Sequence, residues 1–257
     1  MKAIILSAGQ GRRLLPLTAE MPKCALPVND HSVLAWQLHQ IGRCDIDEVV
    51  VVTGFAAGTV ERIVQDVRSV PTRTVHNPHF DQHDNLGTCW MTRAEMREPF
   101  VLINGDTLFE AEVLDRLLAA KPRAPITLAT NTKASYDADD MKVTVSENRL
   151  LHVGKHLAAA SVNGESLGIT RFDEIGAALF RTSLEQFIER PGSDRLWYLS
   201  AIDALAGKNS IAVCPMDGLE WCEIDTQEDL RAARNLVAGW VPPDIEVSFG
   251  ADVATGI

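Results

Sequence analysis

A doubly wound α/β sheet followed by a smaller, strand-rich region is the architecture this 257-residue sequence predicts. Three observations carry that reading. Short apolar runs alternate with helix-like segments over residues 1–124, the pattern of strands joined by crossover helices. From about Pro125 the texture changes to closely spaced strand candidates with little helix between them. Directly behind the first apolar run comes a loop holding Gly9, Gly11, Arg12, Arg13 and Lys23, a composition suited to a backbone that must approach an anion closely.

Taken in order, KAIILS (2–7) is uninterrupted enough for a strand buried on both faces. SVLAWQLHQIG (32–42) is a helix, with Ser32 as cap and Gly42 as stop. EVVVVTG (48–54) is a second strand and AGTVERIVQDV (57–67) a second helix. PFVLINGDTLF (99–109) is a strand ending in a Gly105-Asp106 turn, and such strand ends are where open parallel sheets bind ligands. In the second half ITLATN (126–131), MKVTVSENRLLHVGK (141–155), SLGITRF (166–172) and GAALF (176–180) are strand candidates, with Glu147-Asn148 as a hairpin turn. Helical patterning returns at SLEQFIE (183–189) and LWYLSAIDALAG (196–207), the latter burying Leu196 and Leu199. SIAVCPM (210–216) is a further strand, and the segment 219–240 closes in an amphipathic helix whose start carries Thr226 and Asp229 at capping-box spacing. The chain therefore predicts one domain over residues 1–240, in halves meeting near 124/125, and a tail at 241–257 with two prolines and no period, which reads as loosely attached.

The bulk composition narrows the function classes. A net charge of −11 argues against nucleic acid and anionic membranes as partners, so the basic residues that matter face a small anion. Five cysteines with no C-x-x-C pair form neither a disulfide framework nor a structural zinc site, and fit reduced thiols in a cytoplasmic protein. The first apolar run is too short for a signal peptide, and no stretch approaches the roughly 20 apolar residues of a membrane span.

Read alone, Gly9 and Gly11 suit a tight strand-to-helix turn as well as a phosphate cradle. Two phosphate motifs are excluded: no lysine follows directly on a glycine as in a P-loop, and Leu14 stands where a dinucleotide fingerprint needs its third glycine. The whole run G-x-G-x-R-L-x-P-L-T-x-x-x-P-K-x-x-L-P-V, however, closely resembles the signature of nucleotidyltransferases that activate sugar phosphates and related phosphate monoesters with a nucleoside triphosphate. The resemblance implies a Rossmann-like doubly wound mixed sheet, the nucleotidyltransferase fold, with a small strand-rich acceptor-binding insertion. It implies that Leu6, Ser7, Ala8, Gly9, Gly11 and Arg12 wrap the triphosphate and that Lys23 contacts phosphate. It also calls for a metal-binding aspartate at a strand end near position 100 and a second much later, which Asp106 and Asp225 supply. Alone, Asp106 is an ordinary turn residue and Asp225 part of a helix start. Together, in order, they point to a shared Mg²⁺ site, since hard oxygen ligands plus substrate phosphates are how Mg²⁺ is held.

A finer match narrows the branch. DDMKVTVSENRLLHVGKHLAAASVNGESLGITRF and WCEIDTQEDLRAA resemble bacterial phosphocholine cytidylyltransferases and enzymes that place CMP on small phosphates or phosphonates. That resemblance puts Lys142 and Lys155 near the reacting phosphates, with Arg12 and Lys23 as the other catalytic cations, and Glu165 and Ser166 near the acceptor; on residues alone, both lysines also suit a solvated hairpin face. In DNLGTCWM, Asn85, Gly87 and Thr88 stand where the family reads the base, and the absence of a glutamine before Gly-Thr favours cytosine. Asn85 also suits the cap of the following helix. A quaternary ammonium on the acceptor would call for aromatic faces. Phe109 and Trp221 are candidates beside Trp90, Trp197 and Tyr198, the three assigned to the acceptor, and Trp197 equally suits a core position. His76, His79 and His83 lie in a loop without zinc-type partners, and no Ser/His/Asp or Cys/His nucleophile set is apparent.

The expectation is a Mg²⁺-dependent cytidylyltransferase moving CMP from CTP onto phosphocholine, 2-aminoethylphosphonate or a similar acceptor with release of pyrophosphate, with a homodimer left open. The rivals are a sugar-1-phosphate nucleotidyltransferase using UTP, dTTP or GTP, and a non-catalytic nucleotide-binding regulator.

Overall fold

The computed structural model describes residues 1–121, 123–208 and 211–243. In chain order the elements are β1 (Lys2–Ser7), β2 (Pro27–Val28), β3 (His31–Ser32), α1 (Val33–Ile41), β4 (Glu48–Thr53), α2 (Ala57–Asp66), β5 (Thr72–His76), α3 (Asn85–Met91), β6 (Phe100–Asn104), β7 (Thr107–Phe109) and α4 (Ala111–Ala119). They continue as β8 (Ile126–Asn131), β9 (Lys142–Ser146), β10 (Arg149–Gly154), β11 (Gly164–Phe172), α5 (Glu174–Ile188), α6 (Leu199–Ala206), β12 (Ile211–Pro215), β13 (Trp221–Glu223) and α7 (Gln227–Leu236).

Nine strands form one mixed sheet in the order β5-β4-β1-β6-β11-β8-β12-β10-β9. The first four are parallel, β11 runs against both β6 and β8, and β12 returns parallel to β8. Because β9 also pairs with β11, the ladder from β11 through β8, β12, β10 and β9 closes on itself. One strand can serve both sheet regions because it bends. Its register with β8 shifts between Ser166 and Thr170, and Gly168 sits there at φ +72°, where a Cβ would lie 2.4 Å from Asn104 Nδ2.

Side-chain alternation along the buried strands divides the core by face. Ile4, Val50, Val52 and Leu102 face one cluster with Phe100, Phe172, Phe180 and Tyr198, whereas Ala3, Ile5, Val49, Val51, Val101 and Ile103 face the other with residues of α1 and α4. In the first cluster Phe100 and Phe172 stack at 4.5 Å between ring centroids, and Phe172 meets Phe180 at 4.8 Å. A third cluster of Leu14, Leu26, Val28, Trp36, Ile224, Leu230 and Val237 fastens α7 and the first loop together. Arg171 is 9% exposed, and its Nη1 donates to the carbonyls of Leu117, Leu118 and Ala120, which supplies partners at the end of α4 where intrahelical donors run out.

Local signals were reliable at element ends. Ser32 accepts from Ala35 N, Gly42 follows α1, Thr226 and Asp229 form a reciprocal capping box, and Glu147 and Asn148 both have positive φ in the β9–β10 turn. Two expectations are corrected. GAALF is not a strand but the first turns of α5, because Asp173 caps that helix through Gly176 N and the apolar run continues at helical spacing to Phe187. The helix expected from Leu196 begins at Leu199, leaving Leu196 and Trp197 outside it. The tail from residue 244 onward and Ser210 lie outside the described residues.

Phe172→Ala empties the centre of an aromatic stack and is expected to destabilise the fold by about 3–5 kcal/mol in denaturant unfolding. Thr226→Ala removes the cap and is expected to cost about 1 kcal/mol in the same measurement.

Candidate active site

At the end of β1 the chain leaves the sheet through Ala8, whose carbonyl accepts from Phe55 N at 3.0 Å. It turns at Gly11, φ +77°, a conformation that glycine adopts without penalty. Thr18 Oγ1 donates to the Gly11 carbonyl at 2.8 Å and Gln10 Nε2 to the Thr18 carbonyl at 3.1 Å, so the loop is braced from within. Fully buried Leu14 anchors it in the third cluster. Gly11 also lies against the Lys23 stem, since a Cβ there would stand 2.9 Å from Lys23 Cβ.

Asp106 occupies the turn between β6 and β7. Gly105 brings that turn against the end of β1: its N–H donates to the Leu6 carbonyl at 3.1 Å, and a Cβ would lie 2.4 Å from the same oxygen. From α1, buried Gln37 clamps both sides of the turn by donating Nε2 to the carbonyls of Asn104 and Thr107, each at 2.8 Å. Asp225 arrives from the far end of the chain. β13 pairs antiparallel with β7, setting Glu223 opposite Thr107, and Ile224 N then donates to the Asp106 carbonyl at 3.1 Å. Asp229 Oδ2 accepts from Asp225 N and Thr226 N, so the helix cap also holds the aspartate's backbone.

Lys23 Nζ stands 2.7 Å from Asp106 Oδ2 and 2.5 Å from Asp225 Oδ1, and Arg13 Nη2 is 2.8 Å from the same Asp225 oxygen. Burial works against the Lys23 ammonium, but the two carboxylates outweigh it and raise its pKa above the ordinary lysine value. Burial likewise opposes the Asp225 charge, and Lys23 and Arg13 prevail in lowering its pKa. Glu223 joins the cluster: one carboxylate oxygen from each of Asp106, Glu223 and Asp225 lies within 4.8 Å of the others. Desolvation, then the charges of Asp106 and Asp225, pushes the Glu223 carboxyl up to about 8.

Lys23, Arg13, Asp106 and Asp225 line a cleft of about 730 Å³. One wall is the loop from Leu6 to Arg13 with Lys23; the other is the segment Phe80–Asn85 with Thr88, Asp194 and Trp197. Arg12 lines the first wall and faces the Asp84 charge. Asn85 and Thr88 are anchored from behind: Asn85 Oδ1 accepts from Tyr198 N and Thr88 Oγ1 from Asn77 Nδ2. Gly87 does not line the cleft; it leaves room for His83, whose Cβ would be 2.3 Å from a Cβ there. His76, expected in a loop, ends β5 and is paired with Thr53, and among the described residues His76, His79 and His83 form no metal-ligand group.

In the second half, Lys155 Nζ lies 4.6 Å from the Trp197 ring centroid, a cation–π distance, and 3.5 Å from Asp139 Oδ1. Five expected side chains are turned to other partners. Lys142 donates to main-chain carbonyls, Glu165 pairs with Lys133 at 2.8 Å, and Ser166 Oγ accepts from Gly168 N. Tyr198, the residue that precedes α6, is fully buried, edge-on to Phe180. Trp90 packs on the same core beneath the Arg93 guanidinium, at 4.3 Å, instead of lining the cleft. Tyr198 and Trp90 are thus corrected as acceptor candidates, and of the three expected aromatic side chains Trp197 is the one that lines the cleft. Glu223 was missed, although its place two residues before Asp225 at a strand end was a usable signal, since alternate residues share a face. Lys133 had no local signal.

Residues 3–186 match the family described as the MobA-like NTP transferase domain. The chain is 27% identical to a Bifunctional IPC transferase and DIPP synthase of Rubrobacter xylanophilus over 93% of its own length, and spans 52% of that protein. It is 23% identical to the CTP:phosphoglutamine cytidylyltransferase of Campylobacter jejuni, covering 90% of this chain and 98% of that one. It is 27% identical to the N-acetylmuramate alpha-1-phosphate uridylyltransferase of Neisseria meningitidis, covering 93% and 100%. Its fold superposes on the inositol-1-phosphate CTP transferase of T. maritima with a TM-score of 0.78 at 18% identity, over 93% and 97% of the two chains. The matched region takes in the glycine-rich loop, Lys23 and Asp106 and runs on through β11 into α5, so the chain belongs to the MobA-like NTP transferase domain family, and its relatives are nucleotidyltransferases.

Proposed function

We propose that this chain is a Mg²⁺-dependent cytidylyltransferase that moves CMP from CTP onto a small phosphate or phosphonate, such as phosphocholine or 2-aminoethylphosphonate, and releases pyrophosphate. The observation that carries the reading is the convergence of Asp106 and Asp225 on Lys23 at the open end of the glycine-rich loop. The donor set suits a hard divalent cation: three carboxylates converge, and the buried Asp106 Oδ1 has no hydrogen-bond partner among the described residues. A bound Mg²⁺ would offset negative charge on the phosphate oxygens.

The chain's own groups then have separable tasks. The backbone from Ala8 to Gly11 and the Arg12 side chain cradle the triphosphate. Lys23 and Arg13 balance charge on the departing pyrophosphate, and Lys155 balances it on the incoming acceptor. An anionic oxygen of the acceptor forms the new bond to the α-phosphorus as the bond to pyrophosphate breaks. That oxygen is already deprotonated, so alignment and charge neutralisation are the chain's main contribution and no protein nucleophile is required. Asn85 and Thr88, held from behind, offer polar groups to the base, and Trp197 offers an aromatic face to the acceptor. The preference for CTP is supported by the cytidylyltransferase relative from Campylobacter. The uridylyltransferase relative supports the alternative, a sugar-1-phosphate acceptor with UTP.

Pyrophosphate release measured across CTP, UTP, dTTP, GTP and ATP, each with phosphocholine, 2-aminoethylphosphonate, inositol phosphate and hexose 1-phosphates, is expected to favour CTP at least about tenfold, the discrimination that about 1.4 kcal/mol provides. Preference for UTP with a hexose phosphate would establish the alternative. Asp106→Asn is expected to lower kcat/KM by roughly a hundredfold or more, matching the several kcal/mol that charge stabilisation supplies. EDTA is expected to abolish turnover, and added Mg²⁺ to restore it.

A further inference from the structure

We propose that Lys142 is a positioning residue that touches neither nucleotide nor acceptor and sets Lys155 against the cleft by gathering three backbone carbonyls onto one ammonium. The inference rests on the reading of Lys155 as a cation that faces the acceptor. Lys142 opens β9, paired with Gly154 on one side and Glu165 on the other, and is 9% exposed. No carboxylate is paired with it among the described residues. Its Nζ lies 3.1 Å from the carbonyl oxygen of Lys155 and 3.5 Å from those of Ala138 and Asp140. An ammonium this buried is costly unless its donors are satisfied, and here main-chain dipoles satisfy them. A methionine would fill comparable space without that cost, which makes the carbonyl contacts the reason for a charge at this position.

The contacts join two stretches that the sheet does not hold. Residues 132–141 form no helix or strand, and Lys155 lies just past the end of β10. These stretches carry ionic groups that touch the cleft-lining Arg13 and Trp197. Asp139 Oδ1 is 3.5 Å from Lys155 Nζ, and Asp139 Oδ2 is 3.5 Å from Arg13 Nη1 on the phosphate-facing loop. The Asp139 side chain is 72% exposed, so water and salt screen both pairs, and exposed pairs of this kind fix little on their own. The buried clasp is the stronger restraint. It holds the backbone on both sides of Asp139 and at Lys155 together, and so keeps the Lys155 ammonium over Trp197.

A double-mutant cycle tests this with CTP, Mg²⁺ and phosphocholine as the assay mixture. Lys142→Met and Lys155→Met are each expected to lower kcat/KM for phosphocholine at least about tenfold, and the double variant to match Lys155→Met within about threefold, because two residues acting through one contact are not additive. Lys142→Arg, which keeps N–H donors near the same carbonyls, is expected to recover most of the loss. A substrate-free readout separates this proposal from the functional one: the tryptophan emission change caused by Lys155→Met should recur in Lys142→Met, and both changes should vanish in a Trp197→Phe background. If no acceptor turns over, the functional reading falls and the emission result still decides the clasp. Multiplicative losses in the double variant would overturn the proposal. So would unchanged emission in Lys142→Met where Lys155→Met alters it, or failure of both Lys142→Met and Lys142→Gln to fold, which would assign the lysine to stability alone.

Discussion

The ladder between β7 and β13 is only three residue pairs long, yet the proposed active site depends on it. Its register leaves Asp106 and Asp225 side by side in the lining of the cleft, and two carboxylates brought that close repel. At about 4 Å and an effective dielectric near 20, a pair of like charges costs roughly 4 kcal/mol. Lys23, between them, reverses the sign of the local sum, and Arg13 adds a second positive charge to Asp225. The raised pKa of Lys23 and the lowered pKa of Asp225 are two views of that one balance. Since the ladder joins residues 107–109 to 221–223 and the cation is residue 23, the site exists only when distant segments of the chain have met.

The remaining structure serves this convergence through close backbone approach. Gly105 lets the β6–β7 turn touch the end of β1, Gly11 lets the loop lie on the Lys23 stem, and Gln37 reaches from α1 to grip the carbonyls flanking Asp106. Each of these contacts forfeits side-chain bulk or uses a buried amide to place one charged group of the cluster. The strand-rich half meets the parallel half along one bent strand, β11, which lies in the main ladder at its C-terminal end and in the closed ring at its N-terminal end. Trp197 lines the cleft across from the glycine-rich loop, and Lys155 lies over its ring.

Legibility followed the range of the interaction. Caps, the Glu147-Asn148 turn and the strands buried on both faces rest on neighbours within a few residues, and they were readable. The strand β5, with its half-exposed pattern, and the helix α4 were not singled out, and GAALF misled because an apolar run of five suits a strand and a buried helix turn equally. In the site, Asp106, Asp225, Lys23 and the glycines could be named from motif order. Tyr198 and Trp90 could not be sorted from Trp197, because all three are aromatic residues in amphipathic surroundings and only packing decides which ring meets solvent.

By itself the sequence determined the fold class, because composition and spacing are written in consecutive residues, and its resemblance to a nucleotidyltransferase signature singled out the glycine-rich loop and the two aspartates that converge. Tertiary structure alone decided that Lys142 serves backbone carbonyls in place of phosphate, and that Glu165 answers to Lys133. Each of those outcomes is settled by which partner lies within about 3 Å of a charged atom once distant strands have paired, and no spacing along the chain encodes that distance.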